Sequence, residues 1–280
     1  MLNIGLIGLG TEWEGRYRPA LTNLGHRLRV RAVHTAVLTR AEQIAQEFKC
    51  DAVTGLRQMV QREDIRAILV LDAAWYAECP VRWGCVSGKP MFLAKSALET
   101  LACVSELHHL AADRGVTLMP ECGLRYTPAT NRLRELLATK LGRPLHIDIR
   151  QQLAGKDENL ALGFASELEL SDWMDWCRCL VGTQPQRFLV REGSHDEGLR
   201  IVVEFRKQAG VSHKVTAELP AIKREETGCP GRPATPWKYV CELQCERGRG
   251  WLISPTEIRW ECAAGEGHEV LLSERCGTEV

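Results

Sequence analysis

Two glycines near the start of the chain stand where a nucleotide-binding turn would need them. In IGLIGLGTEWEG, Gly8 and Gly10 directly follow a short apolar run. A dinucleotide fold needs a sharp turn here, close approach of the backbone to a pyrophosphate, and a helix N-terminus aimed at that anion. Trp13 occupies the third position of G-x-G-x-x-G, and Gly15 arrives two residues late, as though the turn carried an insertion. The segment favours a nucleotide-binding turn; the alternative is a turn that binds nothing.

The end of the next apolar run carries no acidic residue. An Asp or Glu there would hold the ribose diol of NAD, but AVHTAV places His34 and Thr35 at this point. The sequence therefore gives no preference for NAD over NADP. Arg40, further along, either meets a 2′-phosphate or is a solvated helix residue.

Two carboxylates lie three residues apart in SDWMDW. This spacing puts Asp172 and Asp175 on one face of a helix predicted over 171–181, while Trp173 and Trp176 belong to its apolar stripe. Such a carboxylate acts as a general base when burial raises its pKa. The alternative is that Asp172 is the N-cap and Asp175 lies in the first turn, where they stabilise the helix by about 1 kcal/mol.

The cysteines and the charge balance exclude several classes of protein. Neither Cys177/Cys179 nor Cys241/Cys245 has zinc-ligand spacing, so no metal site is predicted and the twelve cysteines are interpreted mainly as buried small side chains. With 36 acidic and 36 basic residues, a broad basic face for nucleic acid or membrane is not expected. We find no signal peptide and no apolar run long enough to span a bilayer, which predicts a cytoplasmic protein with reduced thiols.

The elements that must position these residues fall into two parts. Strands and helices alternate through about residue 120, which indicates βαβ units and a parallel sheet covered on both faces. Strand-like segments joined by short turns then follow one another, which indicates an antiparallel sheet. The predicted fold is an α/β Rossmann domain over 1–122 and an α+β domain with a large, mostly antiparallel sheet over 123–280. A Pro- and Gly-rich loop is predicted at 224–236, and further helices at 19–25, 40–48, 56–64, 78–88, 100–115 and 128–140.

Five motifs in order give the chain a family resemblance over nearly its whole length. They are GLIGLG, DIRAILVL, GKPMFLAKSAL, LRYTPATNRLRELLATKLGRPLHI and SDWMDWCRCLVGTQP. Together they resemble the glucose-fructose oxidoreductase/inositol dehydrogenase (Gfo/Idh/MocA) family, which joins a Rossmann domain to a domain with a large sheet. The resemblance implies NAD or NADP as cofactor and a dimer or tetramer through the second sheet.

The resemblance implies a catalytic role for Lys95. The family has a Glu-Lys-Pro tripeptide whose lysine reaches the substrate hydroxyl and the nicotinamide, and here the tripeptide is Ala94-Lys95-Ser96. The lysine is retained at the end of the predicted strand 90–94, but the acid and the proline are replaced. We therefore expect Lys95 to be differently aimed.

Other motif positions match in part. Asp175 falls on the family aspartate and Asp172 on its histidine, while Ala77 falls on a histidine beside the nicotinamide. Arg125 lies in the matching R-x-x-P stretch, where the resemblance favours substrate binding; the alternative is an ion pair between domains. Trp75 and Tyr76 could stack on a ring or pack under a loop.

These observations predict an NAD(P)-dependent oxidoreductase that acts on a sugar, polyol or related carbonyl compound. The predicted catalytic residues are Lys95, Asp175 and Asp172, and Arg125 is assigned to the substrate. Two alternatives remain: a relative that kept the fold as a binding protein or scaffold, and, with less support, another nucleotide-cofactor enzyme such as a methyltransferase. The cofactor contacts are assigned to Gly8, Gly10, Thr11, Glu12, His34, Thr35, Leu71, Asp72, Trp75 and Lys95.

Overall fold

A computed structural model describes residues 1–151, 167–192, 199–208, 211–219 and 239–271. The predicted loop at 224–236 lies outside these residues. The chain divides into two compact units, one over Met1–Glu121 and one that begins at Cys122.

The first unit is built on a six-stranded parallel sheet, as the alternating pattern predicted. The strand order is β3-β2-β1-β4-β5-β6, which places a reversal of the winding direction between β1 and β4. Ligands of such sheets bind outside the carboxyl ends of the strands at this reversal. The strands are β1 (Leu2–Ile7), β2 (Leu28–His34), β3 (Asp51–Ala52), β4 (Ala67–Val70), β5 (Met91–Leu93) and β6 (Leu118–Pro120).

Helices cover both faces of this sheet. Alternate residues of β1 point to opposite sides, so Ile4 and Leu6 join one buried cluster and Ile7 joins the other. The first cluster includes residues of α1 and α2, and the second includes residues of α3, α4 and α6. These helices are α1 (Arg18–Asn23), α2 (Leu38–Phe48), α3 (Leu56–Gln61), α4 (Cys79–Val86), α5 (Lys95–Leu98) and α6 (Val104–Asp113).

The short helix α5 is absent from the sequence prediction. The predicted strand 90–94 ends at Leu93, Ala94 is still extended with ψ of 159°, and Lys95 opens the helix. The helix predicted over 100–115 begins only at Val104. Lys95 is therefore the first residue of a helix at the carboxyl end of β5.

The second unit carries an eight-stranded, mostly antiparallel sheet, which confirms the predicted fold class. Its order is β14-β13-β12-β11-β7-β10-β9-β8, and β7 and β10 form a parallel pair. Its elements are α7 (Pro128–Leu136), β7 (Pro144–Gln151), α8 (Glu167–Val181), β8 (Pro185–Glu192), β9 (Leu199–Gln208), β10 (Val211–Leu219), β11 (Tyr239–Cys245), β12 (Gly248–Ser254), β13 (Glu257–Cys262) and β14 (Gly265–Val270).

Helices α7 and α8 supply much of the core of this unit. Leu133 of α7 and Trp173 and Trp176 of α8 are buried together with Ile147 and Ile149 of β7. The predicted apolar stripe of α8 is therefore confirmed. The Trp176 indole N–H donates to the Thr130 hydroxyl at 2.8 Å, so this large ring is buried without losing a hydrogen bond.

The cysteines of the described ranges are free thiols. Cys177 and Cys241 are fully buried in the second core, and burial raises the pKa of both thiols. They pack as small hydrophobic groups, as the sequence indicated. Among the described residues, no helix is long and apolar enough to cross a membrane.

Candidate functional site

The glycine turn packs directly against the loop that follows β4. Gly8 and Gly10 have φ of 67° and 63°, a region that favours glycine. A Cβ added at Gly8 would lie 2.2 Å from the carbonyl oxygen of Asp72, and one at Gly10 would lie 3.1 Å from that of Leu71. Both glycines therefore allow a close approach between the ends of β1 and β4, at the reversal of the winding direction.

Trp13 lies in the core on the helix side of the turn. Its side chain is fully buried, with its ring centroid 6.0 Å from that of Phe48. The segment Trp13–Tyr17 forms a π-helical turn before α1. Gly15, which is two residues late in the glycine pattern, lies within this π-helical turn. Trp13 does not line the cleft, so its fluorescence would report a ligand only from a distance.

The glycine turn forms one wall of a cleft in the first unit. Five residues assigned to the cofactor line this cleft: Gly8, Gly10, Thr35, Asp72 and Trp75. The enclosed space is about 90 Å3, less than the roughly 300–1,000 Å3 of sites that enclose a drug-sized ligand. A dinucleotide would therefore lie mostly along the open edge of the sheet.

Trp75 and Tyr76 present different surfaces to this cleft. Trp75 is 82% exposed, whereas Tyr76 is partly buried, and its ring centroid is 5.2 Å from that of His34. The backbone beyond them is strained, since Ala77 has φ of 48°. Trp75 is therefore the aromatic side chain most available for stacking on a ligand.

Several assigned cofactor residues do not line the cleft. The His34 side chain is buried, and its Nδ1 lies 2.7 Å from the carbonyl oxygen of Val53, so this nitrogen carries the proton. The Leu71 side chain is fully buried. Thr11 and Glu12 are exposed, and neither lines the cleft. The side chains of these four residues do not form the cleft wall.

Arg40 lines the cleft beside Thr35, together with Ala36 and Val37. The sequence left two interpretations of Arg40 open, a contact to a 2′-phosphate and a solvated helix residue. Its place at the start of α2, just beyond β2, was the signal for the first interpretation.

Three hydrogen bonds hold the segment that carries Lys95. The Ala94 amide donates to the Val70 carbonyl at 2.9 Å, and the Ser96 hydroxyl donates to the Leu71 carbonyl at 2.7 Å. The Lys95 amide donates to a carboxylate oxygen of Glu121 at 2.9 Å. The Lys95 side chain is half-buried, and its ammonium has no hydrogen-bond or ion-pair partner among the described residues. This ammonium is therefore available to a ligand.

Glu121 is a residue that sequence reasoning missed. It directly follows β6, at the same edge of the sheet as the glycine turn and Lys95, and its side chain is only 8% exposed. An acid at the carboxyl end of a parallel strand was the available signal, but no motif pointed to it.

In the second unit, the predicted carboxylates lie in the middle of a helix. Helix α8 begins at Glu167, so the interpretation of Asp172 as N-cap and Asp175 as a first-turn residue is wrong. Asp172 is partly buried.

Asp175 forms an ion pair with Arg125. The Arg125 Nε and Nη2 atoms donate to its two carboxylate oxygens, the former at 2.8 Å, and Arg178 adds a contact at 3.2 Å. Side-chain exposure is 27% for Arg125 and 14% for Asp175. The sequence left open an ion pair of Arg125 between the two domains. The observed pair instead joins two residues of the second unit. Both carboxylate oxygens of Asp175 are therefore engaged by arginine donors.

No family model matches the sequence, and no curated protein matches it significantly. Solved structures do match in fold. A dehydrogenase (MviM) from Clostridium difficile is 14% identical, with a TM-score of 0.64 over 98% of this chain and 84% of that one. A Gfo/Idh/MocA family oxidoreductase from Vibrio cholerae is 15% identical, with a TM-score of 0.66 over 98% and 83%.

A third match is KijD10, a 3-ketoreductase from Actinomadura kijaniata, whose structure contains NADP and TDP-benzene. It is 18% identical, with a TM-score of 0.61 over 96% of this chain and 84% of that one. Identities this low establish a common fold alone. The chain therefore has the fold of the Gfo/Idh/MocA-family oxidoreductases.

Proposed function

We propose that this protein is an NAD(P)-dependent oxidoreductase that acts on a sugar, a polyol or a related hydroxy or carbonyl compound. The observation that supports it best is the carboxyl edge of the first sheet. The Gly8–Gly10 turn, the cleft beside it and the unpartnered ammonium of Lys95 all lie on the ends of β1, β4 and β5. The proposed functional domains are 1–122 for the cofactor and 123–280 for the substrate.

The residues of the cleft fit a dinucleotide. The two glycines carry no side chain at the turn where a pyrophosphate would approach, and their φ of 67° and 63° gives the turn its sharp bend. Trp75 offers an exposed ring for stacking. Structural neighbours were crystallised with NADP or with NAD+.

The cleft favours NADP over NAD in this proposal. Thr35 stands where an acid would hold the ribose diol, and an acid there would repel a 2′-phosphate. Arg40 lines the same part of the cleft and offers a cation to that phosphate.

In this proposal the chain aligns the substrate with the nicotinamide and polarises the reacting oxygen of the substrate. The bound nicotinamide supplies hydride transfer. Lys95 would donate a hydrogen bond to the reacting oxygen of the substrate and stabilise the charge that develops there. Asp175, with Asp172, would position or accept the proton once Arg125 shifts toward the substrate. The Nη1 atom of Arg125 makes no hydrogen bond to a described residue, which leaves it for a polar substrate group.

The loss of several motif positions supports a second candidate, a catalytically inactive nucleotide- or ligand-binding protein. Ala77, Ala94 and Ser96 replace the family residues, and Asp175 is occupied by a guanidinium group. The first candidate turns a dinucleotide over, whereas the second binds a nucleotide or another ligand, or serves as a scaffold, without turnover.

A substrate screen separates the two candidates. NADP+ and NAD+ would be incubated with sugars, polyols and nucleotide sugars, and reduced nicotinamide would be followed by its absorbance. We expect turnover that Lys95→Ala reduces by about a hundredfold or more, the usual size of a general acid–base contribution. Lys140→Ala, a lysine of the second unit that lies over the Trp260 ring, is the control. Binding without turnover across the screen would favour the inactive relative.

The proposal also includes a cytoplasmic location and a homodimer or homotetramer formed through the sheet of the second unit. Light scattering at several concentrations tests the oligomer, and a monomer throughout would contradict it.

A further inference from the structure

Glu121 connects three segments at the carboxyl edge of the first sheet. Its backbone amide donates to the Leu93 carbonyl at 2.9 Å, which extends the pairing of β6 with β5 by one residue. Its Oε2 atom accepts from the Lys95 amide at 2.9 Å and from the Tyr17 hydroxyl at 2.7 Å. Its Oε1 atom forms an ion pair with Arg16. Both carboxylate oxygens are therefore engaged, on a side chain almost removed from solvent.

The bond to Lys95 satisfies a backbone group that the local sequence leaves open. The first amides of a helix have no partner within it, and a side chain just before the helix usually accepts from them. Ala94 occupies that position in α5, and its side chain has no acceptor atom. Glu121, from the neighbouring strand end, provides the oxygen instead. The orientation of the first residue of α5 thus depends on a residue 26 positions away.

Arg16 and Tyr17 hold the carboxylate in its place. Both come from the π-helical turn that follows the glycine turn. Burial, with the hydrogen bond to Glu121, raises the pKa of the Tyr17 phenol, so it remains a donor above the pH at which a free phenol ionises. The Arg16 guanidinium balances the charge of the carboxylate. The same carboxylate therefore contacts the segment behind the cofactor turn and the start of the Lys95 helix.

From these contacts we propose that Glu121 is a positioning residue that orients Lys95. It anchors the backbone of Lys95 where the family tripeptide has a glutamate and a proline on either side of the lysine. The inference rests on the proposed function, because the orientation of Lys95 matters only if its ammonium contacts the substrate. Glu121 itself has no contact with the reacting atoms in this account.

The test measures Lys95 directly and needs no substrate. Hydrogen exchange of the Lys95 amide is followed in the full chain, and labelling of its amine by an acylating reagent is quantified by mass spectrometry. In Glu121→Ala, we expect exchange of the Lys95 amide to be about fivefold faster or more, as for the loss of one hydrogen bond. Labelling of the Lys95 amine should change relative to that of Lys140 in the same sample.

Two further variants distinguish positioning from general support. Glu121→Gln keeps an acceptor oxygen and should restore most of the exchange protection at Lys95. Glu47→Ala removes another glutamate of the first unit, one that pairs with Arg18 at 2.8 Å, and should leave Lys95 unchanged. If Glu121→Ala does not fold, Tyr17→Phe loosens the carboxylate more gently and should raise the exchange rate by a smaller factor.

Thermal melting of each variant accompanies these measurements. Unchanged exchange and labelling at Lys95, with a lowered melting temperature, would overturn the proposal and leave Glu121 as a structural residue. Failure to bind NADPH or NADH would overturn the proposed function, but it would not alter these readouts, which are taken without nucleotide. In an active protein, Glu121→Ala should lower kcat more than it raises KM.

Discussion

The two regions that carry the candidate catalytic groups are in different states. In the first unit, Lys95 has an anchored backbone and an ammonium without a partner among the described residues. In the second unit, the Asp175 carboxylate is occupied by Arg125 and Arg178. The first region is prepared for a ligand, whereas the second is satisfied internally. The difference indicates that Lys95 can meet a ligand as it stands, whereas Asp175 can do so only in competition with Arg125.

The largest expected effect comes from a side chain placed at the glycine turn, where Gly8 approaches the Asp72 carbonyl closely. In Gly8→Ala, the new Cβ would lie 2.2 Å from the Asp72 carbonyl, at a residue with φ of 67°. We expect a loss of about 3 kcal/mol of stability, from positive φ and overpacking together, and loss of dinucleotide binding. Urea unfolding and nucleotide titration measure the two effects.

Gly15→Ala is the matched control, because a Cβ there meets nothing within 4 Å. If Gly8→Ala were as stable as Gly15→Ala, the turn would not be closely packed and the account of the cleft would fail.

Removing the occupant of the second region should have the next largest effect on stability. Arg125→Ala leaves the mostly buried Asp175 carboxylate without its two main donors. We expect a loss of roughly 2 kcal/mol, less than for a fully buried pair because both side chains keep some water. Arg178→Ala, at a 43% exposed side chain, should cost about 0.5 kcal/mol or less. Equal losses for the two arginines, measured by chemical unfolding, would contradict the view that Arg125 is the principal partner.

The cofactor preference gives a prediction of binding rather than of stability. Arg40→Ala should weaken NADPH binding by about tenfold, the size of one lost charge-assisted contact, and leave NADH binding unchanged. Arg29→Ala is the control, since this exposed arginine of β2 does not line the cleft. Calorimetric titration of both variants with both nucleotides tests the difference, and an equal loss for NADH would remove the argument for NADP.

The smallest expected effect concerns how the stability of the first unit depends on pH. The pKa of Tyr17 is raised in the folded protein, chiefly by burial and then by Glu121. The unfolded state therefore loses the phenol proton first, and stability falls as the pH rises above about 10, by up to about 1.4 kcal/mol per pH unit. Tyr17→Phe should remove this part of the alkaline loss. Equal slopes for wild type and Tyr17→Phe between about pH 9 and pH 11 would contradict the burial of this phenol.

The fold could be read from the sequence more fully than the site could. Periodicity and strand composition predicted the parallel sheet and the strand-rich second part, because they report which residues must be buried. The start of α8 was misplaced at Ser171, although the sequence Ser166-Glu167-Leu168-Glu169 has the S-x-x-E spacing of a capping box, which indicates a start at Glu167.

The contacts of the site depend on pairs of residues far apart in the sequence. Glu121 meets Lys95 only because β5 and β6 are neighbours in the sheet, and Arg125 meets Asp175 across 50 residues. His34 was expected beside the cofactor, but it donates to a backbone carbonyl in the interior. Spacing along the chain does not specify such partners, so the contacts of these residues could not be predicted.

One titration tests most directly whether the cleft of the first unit binds a nicotinamide dinucleotide. NADPH and NADH would be added to the wild-type protein and to Trp75→Phe, with tryptophan fluorescence and heat of binding recorded together. Micromolar binding of NADPH, tighter than that of NADH, is the result we predict, with much of the quenching lost in Trp75→Phe but not the heat. No binding of either nucleotide, oxidised or reduced, would contradict the claim and leave a protein that has kept only the fold.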